Sequence, residues 1–116
     1  MMSVTIYHNP ECSKSCQTLA LLEGQGIAPV VVEYLKVPPS AQKLREILAQ
    51  LGLKARDLLR TKEDEYAACG LDHPSLTDEE LIGFMVKHPI LIERPIVVAN
   101  GKAAIGRPPE KVLEII

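Results

Sequence analysis

Two short apolar runs, Val4-Thr5-Ile6-Tyr7 and Pro29-Val30-Val31-Val32-Glu33-Tyr34, stand on either side of one helical stretch. That spacing leaves room for a single crossover helix. The segment from Val4 to Tyr34 therefore reads as strand, helix and parallel strand, a βαβ unit. His8-Asn9-Pro10-Glu11 ends the first strand, because Pro10 has no ladder donor. The helix runs from Cys12 to about Glu23, with Leu19, Leu21 and Leu22 as its apolar face. Gly24 and Gly26 stop it. The unbroken valines of the second run predict a strand buried on both faces.

The next stretch is helical. Val37-Pro38-Pro39-Ser40 is a turn that offers Ser40 as an N-cap. Leu44, Ile47, Leu48 and Leu51 then repeat at helical spacing until Gly52. Ala55 to Cys69 reads as two short helices around Arg60-Thr61-Lys62. Thr77-Asp78-Glu79-Glu80 is a capping box that opens a helix carrying Leu81, Ile82 and Met85, closed by Pro89. Asn100-Gly101, between Ile96-Val97-Val98-Ala99 and Lys102-Ala103-Ala104-Ile105, is a strong hairpin signal. After Gly106-Arg107-Pro108-Pro109 a C-terminal helix is expected, with Val112, Leu113 and Ile116 facing inward. The order is β-α-β, helices, hairpin, helix. It is similar to the plan of a thioredoxin or glutaredoxin, a mixed four-stranded α/β sheet, with a helical insertion at about residues 40–88. Residues 1–116 are expected to form a single domain. Pro95 falls where that fold has a cis-proline.

Composition narrows the function. A net charge of −2 gives no positive field for nucleic acid or an anionic membrane, and one Phe, three Tyr and no Trp leave little for base stacking. No run approaches a membrane span, and the N-terminus lacks the basic and apolar regions of a secretory signal. A cytoplasmic protein is expected. Cys12, Cys16 and Cys69 are an odd number of cysteines, so reactive or inert thiols are expected rather than a disulfide framework. The His and Cys spacing fits no zinc pattern, and no bound metal or cofactor is expected.

The chemistry gathers at Cys12. A cysteine between a strand end and a helix start meets unpaired first-turn amides, the positive end of the helix dipole and Lys14. A free thiol of pKa about 8.5 is only a few per cent ionised at pH 7, while helix-start cysteines reach about 6. The same amides can cradle an oxyanion. The competing reading is a small buried hydrophobe, common for cysteine. Cys16, four residues on, is either a free thiol facing the pocket or a resolving thiol. The second role requires Cys12 to precede the helix or its first turn to fray, since in-helix i,i+4 Cβ atoms lie about 5–6 Å apart. Cys69 reads as core. His8 either supports the thiolate and its loop or is a loop histidine bonded to backbone. Arg60, Arg94 and Arg107 offer planar paired donors suited to tetrahedral oxyanions. Taken singly, each also fits a solvated surface charge. Arg45 and Arg56 read as surface.

The chain resembles the glutaredoxin-dependent arsenate reductases in IYHNPECSKS (6–15), YLKVPP (34–39), LLRTKEDEY (58–66) and HPILIERPIVVANGKAAIGRPPEKVLEI (88–115). This resemblance implies that Cys12 attacks As(V) and displaces hydroxide, giving a cysteinyl–arsenate thioester. Glutathione, as co-substrate, then adds, and glutaredoxin removes it with release of arsenite. It implies that Arg60, Arg94 and Arg107 bind the oxyanion and that His8 is the histidine upstream of the nucleophile. A monomer is expected. One departure stands out: many relatives carry arginine where this chain has Cys16. The change removes a positive charge beside the thiolate and adds a thiol. It predicts a higher Cys12 pKa, weaker arsenate binding or a shift toward dithiol chemistry, with Lys14 compensating in part. Two other functions fit the same fold. One is a glutaredoxin-linked thiol–disulfide oxidoreductase. The other is a redox-sensing transcription regulator that binds RNA polymerase, whose Cys-x-x-Cys pair is Cys-x3-Cys here.

Overall fold

A computed structural model describes residues 3–116. The chain divides into two compact units. One comprises the residues up to Val37 together with Arg94–Ile116, and the other is Pro38–Glu93.

The first unit is built on a four-stranded sheet. Its strands are β1 (Val4–His8), β2 (Val30–Glu33), β3 (Ile96–Ala99) and β4 (Lys102–Ile105), in the order β2-β1-β3-β4. β1 pairs parallel with β2, Ile6 opposite Val31, and antiparallel with β3, Ile6 opposite Val97. β3 and β4 form the expected hairpin. Its turn residues Asn100 and Gly101 both have positive φ, 55° and 72°, as a two-residue turn of this kind needs. Helix α1 (Ser13–Gly24) makes the crossover between β1 and β2. Val4, Ile6, Leu22, Val97, Ala99 and Val112 form the core, with Leu19, Leu21 and Ile27 against it. The mixed four-stranded sheet of the thioredoxin-like plan is therefore present.

Two expectations fail here. β2 is an edge strand rather than a strand buried on both faces: Val30 is 59% and Val31 45% exposed. Its valines mark β-propensity, not burial. The C-terminal segment Pro109–Glu114 is a 3₁₀ helix, so Val112 is buried but Leu113 is 37% exposed. At three residues per turn, consecutive apolar residues do not share a face. The Arg94–Pro95 bond is cis, as expected, and so is Arg107–Pro108.

The second unit is helical: α2 (Ala41–Leu51), α3 (Ala55–Leu58), α4 (Asp64–Ala68), α5 (Asp78–Lys87) and a 3₁₀ turn at Pro89–Leu91. Ser40 caps α2 by accepting the Lys43 N–H, and Gly52 ends it at φ 70°. Thr77 and Glu80 form the reciprocal capping box of α5. Leu44, Ile47, Leu58, Leu71, Leu81, Met85 and Leu91 are fully buried. Arg45 lies on the exposed surface and pairs with Glu79. Arg56 does more than the surface role read from its position: it donates to the carbonyls of Leu71 (2.8 Å) and His73 (3.0 Å). Cys69 is half-buried at the end of α4 rather than core. No helix among the described residues is long and apolar enough to cross a membrane.

Candidate active site

Cys12 owes its position to the loop that links β1 to α1. Pro10 cannot extend the strand, and Asn9 closes the turn: its carbonyl accepts the Cys12 N–H (3.0 Å) and its Oδ1 accepts the Glu11 N–H (3.0 Å). Cys12 is thereby the N-cap of α1, in extended conformation at φ −99° and ψ 122°. Its carbonyl accepts the Cys16 N–H (3.0 Å), and its thiol is left among the first-turn amides.

Those amides decide the ionisation of the buried thiol. Burial pushes the Cys12 pKa up. The Ser15 N–H, the Arg94 guanidinium, through both its hydrogen bond and its charge, and the Lys14 N–H outweigh it, and the pKa falls below the ordinary value. Lys14 thus acts through its backbone; its side chain is exposed.

Arg107 lies on the same side of the site. Its Nη2 is 3.7 Å from Cys12 Sγ and its Nε donates to the Arg94 carbonyl (2.7 Å). Two of the three predicted arginines thus converge on the thiol. Arg60 belongs to the helical unit, where Glu63 (3.0 Å) and Glu93 (3.3 Å) hold its guanidinium. Its own N–H donates to the Leu91 carbonyl (2.8 Å), beside the Leu59–Ile92 bridge.

His8 ends β1 and is buried. Its Nδ1 bonds to Ser15 Oγ, which also accepts the Asn9 N–H (3.0 Å). Burial lowers the His8 pKa, with Glu33 acting weakly in the opposite direction. With the ring neutral and its proton on Nε2, the Ser15 O–H donates to Nδ1 while its oxygen accepts from Asn9. His8 is therefore tied to a side chain, not to backbone, and it braces the cysteine loop. Cys16 is exposed and unbridged, with its Sγ donating to the Pro10 carbonyl (3.2 Å). Pro95 is buried and its carbonyl accepts the Gly106 N–H (2.9 Å). Among the described residues no three His, Cys, Asp or Glu side chains gather into a metal site.

Asn9, Ser15, Thr18 and Gly106 escaped the sequence reading. Ser15, Thr18 and Leu22 are the buried residues of α1, a stripe at i, i+3 and i+7. Its polar end signals that the helix turns toward a site at its start and toward the core further along.

Residues 7–115 match the ArsC family. The chain is 49% identical to an arsenate reductase of Neisseria meningitidis serogroup A over the full length of both chains. It is 58% identical to the uncharacterized protein YfgD of Escherichia coli (strain K12), covering 97% of this chain and 96% of the relative. Among solved structures it is similar to an arsenate reductase from Vibrio cholerae. That likeness has a TM-score of 0.97 and 56% identity, covering 99% of this chain and 98% of the other. The strand–loop–helix that presents Cys12 and the matches along the whole length lead to one assignment: the chain belongs to the ArsC family.

Proposed function

We propose that this protein is an arsenate reductase that converts arsenate to arsenite with glutathione and glutaredoxin. The observation that carries the reading is a buried cysteine at a helix start with a lowered pKa, within reach of Arg94 and Arg107. A thiolate there is both nucleophile and part of an anion cradle. Its sulfur attacks As(V), an S–As bond forms, and one arsenate oxygen leaves as hydroxide. Fixed guanidinium and amide donors hold the negative charge of the transition state without reorganising, and each such donor is worth about 3–4 kcal/mol. Glutathione then displaces a second oxygen, which leaves as water, and its sulfur bonds to arsenic. A glutaredoxin thiolate attacks that sulfur, forming a glutathione–glutaredoxin disulfide and leaving the S–As electron pair on arsenic as As(III). Water then displaces Cys12 from As(III), freeing arsenite and restoring the thiolate.

Within this reading Cys12 is the catalytic residue, and Arg94 and Arg107 bind substrate. Arg60 is assigned to oxyanion binding on the family pattern alone. His8, Lys14 and Pro95 support the loop. In this reading the protein is one monomeric thioredoxin-like domain of residues 1–116 with a helical insertion. It acts in the cytoplasm, where Cys16 and Cys69 stay reduced, and involves no bound cofactor, nucleic acid or membrane.

The exposed Cys16, one helical turn from an N-cap Cys12, favours a second reading, thiol–disulfide exchange with a glutaredoxin. One coupled assay separates the two. Glutathione oxidation that requires arsenate and glutaredoxin, and persists in Cys16→Ser, supports the reductase. Equal turnover of a glutathione mixed disulfide without arsenate, lost in Cys16→Ser, replaces it with the exchanger.

A further inference from the structure

The loop that carries Arg107 meets α1 at a point where no side chain fits. Gly106 is buried, and a Cβ there would lie 2.5 Å from Thr18 Oγ1, 3.1 Å from Thr18 Cγ2 and 2.8 Å from Pro95 Cγ. Glycine is required here by close approach rather than by backbone conformation. Both sides of the contact are fixed. The Gly106 N–H donates to the Pro95 carbonyl (2.9 Å). Thr18 is fully buried and its Oγ1 donates to the Lys14 carbonyl (2.8 Å), within the turn whose amides hold the Cys12 sulfur. On the far side of Gly106 the next residue is Arg107, braced on the Arg94 carbonyl and 3.7 Å from Cys12 Sγ.

We infer that the Gly106–Thr18 contact is the spacer that sets how closely the Arg107 guanidinium approaches the Cys12 thiolate. Both are positioning residues for the anion site. The inference rests on the proposed roles of Cys12 and Arg107, not on which oxyanion they take. Non-bonded atoms meet at about 3.5–4.0 Å, so a methyl at Gly106 drives the loop back by about 1 Å. The thiolate then loses part of its cationic support. Removing the Thr18 side chain restores the space, leaving only the puckering end of the Pro95 ring to yield.

The test is the pH profile of iodoacetamide alkylation at Cys12, read by peptide mass spectrometry in wild type, Gly106→Ala, Thr18→Ala and the double variant. This readout is independent of arsenate. If the reductase reading fails, turnover is absent while the alkylation profile still reports on the spacer. In Gly106→Ala the apparent Cys12 pKa rises by about half a unit or more, with a higher KM for arsenate where turnover exists. The double variant returns toward wild type, and Thr18→Ala alone, which opens the contact, leaves the Cys12 pKa at or below the wild-type value. A wild-type profile in Gly106→Ala overturns the inference, as does a double variant that keeps the shift. If Gly106→Ala does not fold, rescue of folding and of the Cys12 profile in the double variant supports the spacer, and a double variant that also fails to fold or keeps a raised pKa overturns it.

Discussion

Replacing Arg94 by glutamine is expected to raise the Cys12 pKa by about 1–3 units, the usual worth of a close opposite charge. Burial is the largest influence on this thiol and acts upward. The Ser15 amide, Arg94 and the Lys14 amide together turn the balance, and Arg94 is the charged member of that set. Its Nε and Nη1 are buried, so solvent and salt screen the guanidinium little. At 1.36 kcal/mol per unit, its loss removes about 1.4–4 kcal/mol of preference for the thiolate. The amides alone then oppose burial, and the pKa moves toward or past its ordinary value. Alkylation of Cys12 at pH 7 should slow by about tenfold for each unit gained. The assay is the rate of Cys12 modification against pH in Arg94→Gln and in Arg45→Gln, whose exposed guanidinium pairs with Glu79. The stability linkage follows the same sign. A folded pKa below the ordinary thiol value means that ionised Cys12 stabilises the fold fully above that ordinary value, a contribution lost as pH falls through the folded pKa. Arg94→Gln should narrow that window. A Cys12 profile unmoved in Arg94→Gln would refute the electrostatic argument.

Two further perturbations test the loop beneath the thiol. Ser15→Ala leaves the buried Asn9 N–H and His8 Nδ1 without their partner and should destabilise the protein by about 1–3 kcal/mol in denaturant unfolding, whereas a change of a few tenths would show that the network carries little. His8 has a folded pKa below its ordinary 6.5, so the unfolded chain takes up the proton first. Stability should therefore fall as pH drops through about 6.5 and level off below the folded pKa. Urea midpoints collected from pH 8 to pH 5 should show this slope, flattened in His8→Gln.

How far the sequence discloses this protein depends on the range over which each signal acts. Ser40, Thr77 and Asn100-Gly101 act within a few residues of themselves, and each marks its cap or turn correctly. The valines of β2 suit any strand. Nothing local says that β1 and β3 occupy the centre and leave β2 at the edge, because sheet order is set by long-range pairing. In the last segment, apolar spacing does not distinguish an α-helix from the 3₁₀ helix that begins at Pro109. Cys12 is legible from its place between a strand and a helix, and Arg94 and Arg107 from the paired donors a guanidinium offers an oxyanion and from the family resemblance. Asn9, Ser15, Thr18 and Gly106 are not, since small polar residues and a glycine look ordinary until the sheet brings the Arg107 loop against α1.

The most direct test of the central claim is arsenite production by purified protein supplied with arsenate, glutathione and glutaredoxin, beside the Cys12→Ser variant. A hydroxyl is far less nucleophilic than a thiolate at pH 7, so the account predicts turnover by the wild type and none by a folded Cys12→Ser. Arsenite formed at the wild-type rate by Cys12→Ser would contradict it.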